Sequence, residues 1–84
     1  MAKVEVYTTD YCPYCVRAKD LLKRKNIAYE EKMMTTQEER IALMERAQGR
    51  RTVPQIFIND QGIGGYDDLA SLDASGKLDE MIKG

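Results

Sequence analysis

The sequence predicts an α/β fold in which a small mixed β-sheet carries helices on both of its faces. Strand and helix patterns follow one another in the order βαβα, and a hairpin and two further helices come after them. Two strands joined through a helix should lie parallel, whereas a hairpin adds antiparallel strands. With 84 residues the chain is long enough for one domain, residues 1–84, and too short for two ordinary cores.

The first strand and the first helix are the clearest of these elements. Residues 3–9 alternate apolar and polar side chains, which predicts a strand. Residues 16–25 have helical periodicity, and Asn26 is a plausible left-handed stop. The helix face that should point inward carries Cys15, Ala18 and Leu22.

Cys12 and Cys15, between this strand and this helix, indicate a chemistry. Pro13 suits the first helical position, where its missing N–H would have no partner, so Cys12 should be the N-cap. There its sulfur would face the free N–H groups of Tyr14 and Cys15, and the helix dipole would favour the nucleophilic thiolate. Cys15, one turn on, could attack a mixed disulfide formed at Cys12. Thiol–disulfide exchange is our first hypothesis, and a buried or metal-binding pair is the alternative.

The middle of the chain predicts a second strand and a second helix. Residues 27–33 form the weaker strand prediction. The capping-box pattern of residues 36–39 begins the helix, and Gly49 should end it. The apolar face of this helix is predicted to carry Ile41, Met44 and Ala47.

The last third of the chain predicts a hairpin and two short helices. Residues 55–58 read as a buried strand, residues 59–62 as a turn, and Ile63 as the centre of a return strand. Gly64-Gly65 should end that strand, and Asp67-Asp68 should begin a helix. Beyond Ser75-Gly76, a final helix should turn inward Leu78, Met81 and Ile82.

Composition excludes several functional classes. The chain has no histidine, which excludes Ser-His and Cys-His hydrolases, and two cysteines cannot supply four zinc ligands. A net charge of −1 favours neither nucleic acid nor an anionic membrane, and no apolar run reaches the roughly 18 residues of a membrane span. Because the N-terminus lacks the apolar stretch of a signal peptide, we expect a cytoplasmic location.

Three motifs together resemble one known family. Cys12-Pro13-Tyr14-Cys15 resembles the active-site motif of dithiol glutaredoxins, and residues 52–58 (TVPQIFI) resemble the segment that follows it there. Residues 64–68 (GGYDD) resemble the third family motif. The resemblance covers essentially the whole chain. It implies a thioredoxin fold, a four-stranded mixed sheet with helices on both faces, and glutathione as co-substrate rather than as a permanently bound cofactor.

The resemblance also implies roles for individual residues. Cys12 and Cys15 would be catalytic, and Pro54 would be cis beside them, leaving the backbone of Val53 free to pair with substrate. Glutathione would be held by Tyr14, Arg51, Thr52, Val53, Pro54, Gly65, Tyr66, Asp67 and Asp68. No metal site is implied. From the residues alone, Arg51 could equally be a solvated cation, residues 52–54 a simple bend, and Asp67 or Asp68 an N-cap.

The expected partners are glutathione and disulfide-containing or glutathionylated proteins, and a monomer is expected. Two alternatives stay open: a thioredoxin-like protein recharged by a flavoprotein reductase, and a carrier in which two chains bridge a [2Fe–2S] cluster through Cys12 and glutathione. In the family, Pro13 argues against the cluster. A non-catalytic binding module would leave an exposed Cys12 without purpose.

Overall fold

The computed structural model describes residues 3–10, 12–47, 49 and 53–83. Its elements, in chain order, are β1 Val4–Thr8, α1 Pro13–Arg24, β2 Glu30–Met33, α2 Gln37–Arg46, β3 Gln55–Ile58, β4 Gln61–Gly64, α3 Tyr66–Ser75 and α4 Lys77–Lys83. The strands form one sheet in the order β2-β1-β3-β4. β1 pairs with β2 in parallel, and the β1–β3 and β3–β4 pairs are antiparallel, which confirms the predicted mixed sheet.

Both faces of the sheet are covered, because successive side chains of a strand point to opposite faces. On one face, Val4 and Val6 of β1 belong to a core that α1, α3 and α4 complete. On the other face, Phe57 of β3 packs with Met34, Leu43 and the half-buried Tyr7 beneath α2. Helices on both faces are therefore confirmed.

α1 begins at Pro13, the first helical position predicted for this proline, because the cysteine motif itself is the first turn of the helix. Cys12 is the N-cap, as predicted. The inward face is also confirmed, since Cys15, Ala18 and Leu22 are all buried. Asn26, just beyond the helix, has a φ of 58°, the left-handed conformation expected of a stop.

Two predictions for the middle of the chain were wrong in detail. β2 begins only at Glu30, and Ile27 reaches the core from the connection that precedes the strand. The capping box of α2 is confirmed, but the helix buries Leu43, while Ile41 is 44% exposed. Ile41 lies two residues from Leu43, about 200° around the helix, so the two cannot face the sheet together.

The hairpin turn is tighter than predicted, and α2 ends near the glycine predicted to end it. Asn59 and Asp60 alone form the turn, both with positive φ (52° and 67°), so that Gln61 already belongs to β4. Two left-handed residues in succession match the twist of a two-residue hairpin. α2 ends at Arg46, with Ala47 as its C-cap, and the predicted Gly49 follows with a φ of 89° and donates its N–H to the carbonyl oxygen of Met44 at 2.7 Å.

Candidate functional site

The two cysteines lie where β1 delivers the chain to the start of α1. Cys12 is half-buried at the N-cap, whereas Cys15 is only 2% exposed. Their sulfur atoms are joined in a disulfide, and the N–H of Cys15 donates a hydrogen bond of 3.1 Å to Sγ of Cys12. Of the two N–H groups expected at this sulfur, those of Tyr14 and Cys15, the structure has the hydrogen bond from Cys15. The arrangement leaves Cys12 partly exposed to solvent and keeps Cys15 in the core.

A pocket of about 300 Å³ brings seven of the nine predicted glutathione-binding residues together. It is lined by Tyr14, Val53, Pro54, Gly65, Tyr66, Asp67 and Asp68. The other two, Arg51 and Thr52, lie outside the described residues. The Val53–Pro54 bond is cis, as the family resemblance led us to expect, and Pro54 is buried.

The start of α3 forms one end of this pocket. Its N-cap is Gly65, so neither Asp67 nor Asp68 caps the helix in the way that the alternative interpretation proposed. Asp68 instead stands at the third helical position and accepts the N–H of Gly65 at 3.1 Å. In the described part of the chain no hydrogen bond or ion pair holds the exposed Asp67 carboxylate.

The two glycines before α3 have different backbones. Gly64 has a φ of 118°, which side-chain-bearing residues rarely adopt, so the end of β4 requires glycine there. Gly65 has a φ of −93°, and a Cβ at this position would lie at ordinary contact distance, 3.5 Å, from the carbonyl oxygen of Pro54. The backbone conformation of Gly65 therefore does not require glycine; the lack of a side chain leaves the space beside the Pro54 carbonyl unfilled.

Tyr14 and Tyr66 lie side by side and form an aromatic wall, a contact that the sequence did not predict. Their ring centroids are 6.4 Å apart with a tilt of 35°, and Tyr14 is 53% exposed. The guanidinium of Arg17 lies 5.2 Å from the centroid of the Tyr14 ring, within the range of a cation–π contact. No local pattern could have indicated this wall, because it depends on how α1 packs against α3.

Within residues 3–10, 12–47, 49 and 53–83, no three His, Cys, Asp or Glu side chains are grouped so that they could hold a metal ion. Over the same ranges no helix has both the length and the apolar character needed to cross a membrane.

Comparison with known proteins gives one family throughout. The family model described as Glutaredoxin matches residues 4–63. A probable glutaredoxin of Synechocystis is 54% identical over 82 residues, covering 96% of this chain and 75% of its own length. Glutaredoxin 3 of Escherichia coli is 49% identical over 83 residues, covering 99% of this chain and 100% of its own.

Solved structures agree with these relatives. The solution structure of glutaredoxin from Brucella melitensis has a TM-score of 0.86 at 48% identity, covering 99% of this chain and 90% of that one. The crystal structure of a buckwheat glutaredoxin–glutathione complex has a TM-score of 0.87 at 30% identity, covering 98% of this chain and 77% of that one. The thioredoxin fold expected from the sequence motifs is confirmed.

Proposed function

This chain belongs to the glutaredoxin family and is a glutathione-dependent thiol–disulfide oxidoreductase with a Cys12–Cys15 redox pair, and we propose that Cys12 attacks and Cys15 resolves. The difference in exposure between the two cysteines carries this proposal. A substrate disulfide can reach the half-buried Cys12, whereas the sulfur of Cys15 is enclosed and can reach only what is already bonded to Cys12.

The helix start supports Cys12 as the thiolate. The N–H of Cys15 at 3.1 Å is a hydrogen-bond donor to the Cys12 sulfur, and the positive end of the α1 dipole is at the same place. Both favour a negative charge on sulfur, which is the form that attacks a disulfide. When glutathione attacks the glutathione sulfur of the Cys12 adduct, Cys12 is the leaving group, and the same contacts would stabilise the thiolate that departs.

Two routes begin with attack by the Cys12 thiolate, and they differ in the mixed disulfide that it forms. Cys12 thiolate attacks the glutathione sulfur of a mixed disulfide, forming a Cys12–glutathione disulfide and releasing the protein as a thiolate, which takes a proton from water. A free glutathione thiolate then attacks the glutathione sulfur of this adduct. Glutathione disulfide forms, and Cys12 is released as a thiolate. With a protein disulfide as substrate, Cys12 forms a mixed disulfide with the protein. Cys15 then attacks the Cys12 sulfur, which forms the Cys12–Cys15 disulfide and releases the reduced protein. Two glutathione molecules then reduce that disulfide.

Glutathione would occupy the pocket between α1 and α3. Tyr14 and Tyr66 would flank it, and Val53, Pro54 and Gly65 would let it approach the backbone. The γ-glutamyl carboxylate would meet the N–H groups in the first turn of α3, and its ammonium group the exposed Asp67 carboxylate. Asp68 would support this end through its bond to Gly65. Arg51 and Thr52 complete the proposed set, Arg51 as a cation for the glycine carboxylate.

The proposed physiological setting is a monomer in the cytoplasm that acts on glutathionylated or disulfide-containing proteins. A reducing compartment is where a cysteine pair serves catalysis more often than structure. No protein partner is implied beyond this chemical class.

A coupled assay tests the function. The protein is given a small glutathione mixed disulfide, glutathione, glutathione reductase and NADPH, and NADPH oxidation is followed. We expect turnover that requires glutathione, and none when thioredoxin reductase replaces the glutathione system. Turnover with thioredoxin reductase alone would instead support the thioredoxin-like alternative. Visible cluster absorption in the purified protein would support the [2Fe–2S] carrier.

A further inference from the structure

A second pocket lies beside the proposed glutathione pocket and is positively charged, whereas the charged residues that line the glutathione pocket are two aspartates. It has a volume of about 340 Å³ and is lined by Arg17, Asp20, Lys23, Arg24 and Tyr66. Three cations and one carboxylate give it a formal charge of +2, on a chain whose net charge is −1. The positive charge is therefore local to this surface of α1.

The cations of this basic pocket (Arg17, Lys23 and Arg24) are not engaged in ion pairs within the described part of the chain. Two other lysines near α1 are: Lys19 pairs with Glu31 at 3.0 Å, and Lys25 bridges α3 and α4 through Asp73 and Asp79. By contrast, no ion pair engages any of the three pocket cations among the residues that the structure describes.

Tyr66 connects the two pockets, because its side chain lines both. Arg17 is also shared, since its guanidinium lies over the ring of Tyr14 in the first pocket. From Cys12 the helical rise places Arg17 about 7.5 Å and Arg24 about 18 Å along α1. An extended chain advances about 3.3 Å per residue, so these cations lie within about two to five residues of a substrate cysteine at Cys12.

We propose that the basic pocket binds acidic side chains of the protein substrate, two to five residues from its reacting cysteine. This inference rests on the proposed function and specifies its substrate class: glutathionylated or disulfide-bonded segments rich in Asp and Glu. A row of cations as long as this one suits a chain with several carboxylates better than one small anion. Complementary charge of this kind guides encounter and raises selectivity more than it raises affinity.

Glutathionylated peptides of one length test the proposal in a single turnover. Each peptide has one cysteine and, two to five residues from it, three glutamates, three lysines or three glutamines. In one set of peptides these residues precede the cysteine, and in a second set they follow it. Reduced protein attacks the glutathione sulfur and releases the peptide thiol, so no free glutathione is needed. We expect the acidic peptide of at least one set to react about fivefold faster than its lysine counterpart, and the preference to shrink in high salt.

Two charge-reversal variants, Arg24→Glu and Lys23→Glu, test whether the charge preference arises in the basic pocket. The matched control is Lys77→Glu, which changes an exposed lysine of α4 outside the pocket. The two pocket variants should abolish or invert the acidic preference, whereas the control should keep it. The ratio between peptides is the readout because loss of folded protein slows all peptides alike and leaves it unchanged. Arg24→Gln, with half the charge change, should give an intermediate ratio.

Two results would overturn the proposal: no charge preference in the wild type, or an unchanged ratio in the pocket variants. Where the ratio is unchanged and every peptide reacts more slowly in a variant with the melting temperature of the wild type, the pocket holds a carboxylate of glutathione itself, which every peptide carries. The proposed function is tested separately, by the requirement for glutathione in multiple turnover. If the protein turns over with glutathione but shows no preference for peptide charge, only the proposal for the basic pocket is contradicted.

Discussion

The guanidinium of Arg46, in the last turn of α2, holds both carboxylate oxygens of Glu5 on β1, at 2.9 and 3.2 Å. The Glu5 side chain is only 4% exposed. Arg46 also donates to the hydroxyl of Tyr7 at 2.8 Å and lies 4.1 Å from the ring centroid of Phe57. Within α2 itself only Leu43 is buried, so this ion pair is a main attachment of α2 to the sheet. The chain leaving α2 leads to Pro54 and the active site.

Arg46→Met should destabilise the protein by about 3 kcal/mol at neutral pH, because it leaves Glu5 buried without its main partner. Lys32, at 3.6 Å, and Lys3, at 3.9 Å from Glu5, keep the loss near the lower end for a buried pair. Urea unfolding measures it. The matched control is Arg40→Met, an exposed arginine of the same helix. Equal stability of the two variants would show that the Glu5 pair contributes nothing.

Stability should fall in acid partly through Glu5. The hydrogen bonds from Arg46 hold the pKa of Glu5 below its ordinary value of 4.5, against burial, which acts to raise it. A carboxyl whose pKa is lowered by folding stabilises the folded state above the unfolded pKa and loses this effect as the pH falls through the folded pKa. Glu5→Gln should therefore be less stable at pH 7, with a flatter stability curve below about 4.5.

The control for this acid experiment is Glu45→Gln, which removes an exposed carboxylate from α2. Urea midpoints measured from pH 7 down to pH 3 should fall as steeply in this variant as in the wild type. A Glu5→Gln curve as steep as that of the wild type would contradict the assignment to Glu5.

The two cysteines should separate into different functions. Cys12→Ser should lose all activity, because it removes the attacking sulfur. Cys15→Ser should keep the reduction of glutathione mixed disulfides and lose the reduction of protein disulfides, because only the latter needs a second thiol of the enzyme. Cys15→Ala belongs in the same assay, since a serine hydroxyl at a position only 2% exposed could disturb the core. Loss of both activities in the alanine variant would mean that Cys15 does more than resolve.

The adjacent aspartates of α3 should also differ. Asp67→Asn should raise KM for glutathione mixed disulfides about fivefold to tenfold with little change in the melting temperature, because it removes the charge proposed to meet the glutathione ammonium. Asp68→Ala should lower the melting temperature, because the N–H of Gly65 loses its acceptor. Steady-state kinetics and thermal unfolding of both variants test this, and a normal KM in Asp67→Asn would remove Asp67 from the binding site.

Much of the fold and the reactive part of the site could be predicted from local sequence. Alternation in residues 3–9, the Cys12-Pro13 start of a helix and the capping box at Thr36 are short-range patterns, and each led to the right kind of element. Cys12 outward and Cys15 inward also followed locally, because a helix with one apolar face determines which of its residues can be buried.

Other features were decided only when distant segments packed together. The sequence alone favoured Ile41, Met44 and Ala47 as the inner face of α2. Ala47 is buried as predicted, but Ile41 is exposed, and α2 is held by Arg46 on Glu5 and buries Leu43. The sequence likewise left Asp67 and Asp68 as candidate N-caps, whereas Gly65 takes that place. In each case several local arrangements have similar free energies, and long-range contacts select among them.

The sequence by itself therefore determined the order of elements and the redox pair, because both depend on neighbours within one or two turns of helix. The tertiary structure decided which residues share a pocket. Tyr14 and Tyr66 meet only because α1 packs on α3, and the same packing places Arg17 and Arg24 beside Tyr66. Burial of apolar side chains between the helices and the sheet brings these residues together, and no short-range pattern encodes that approach.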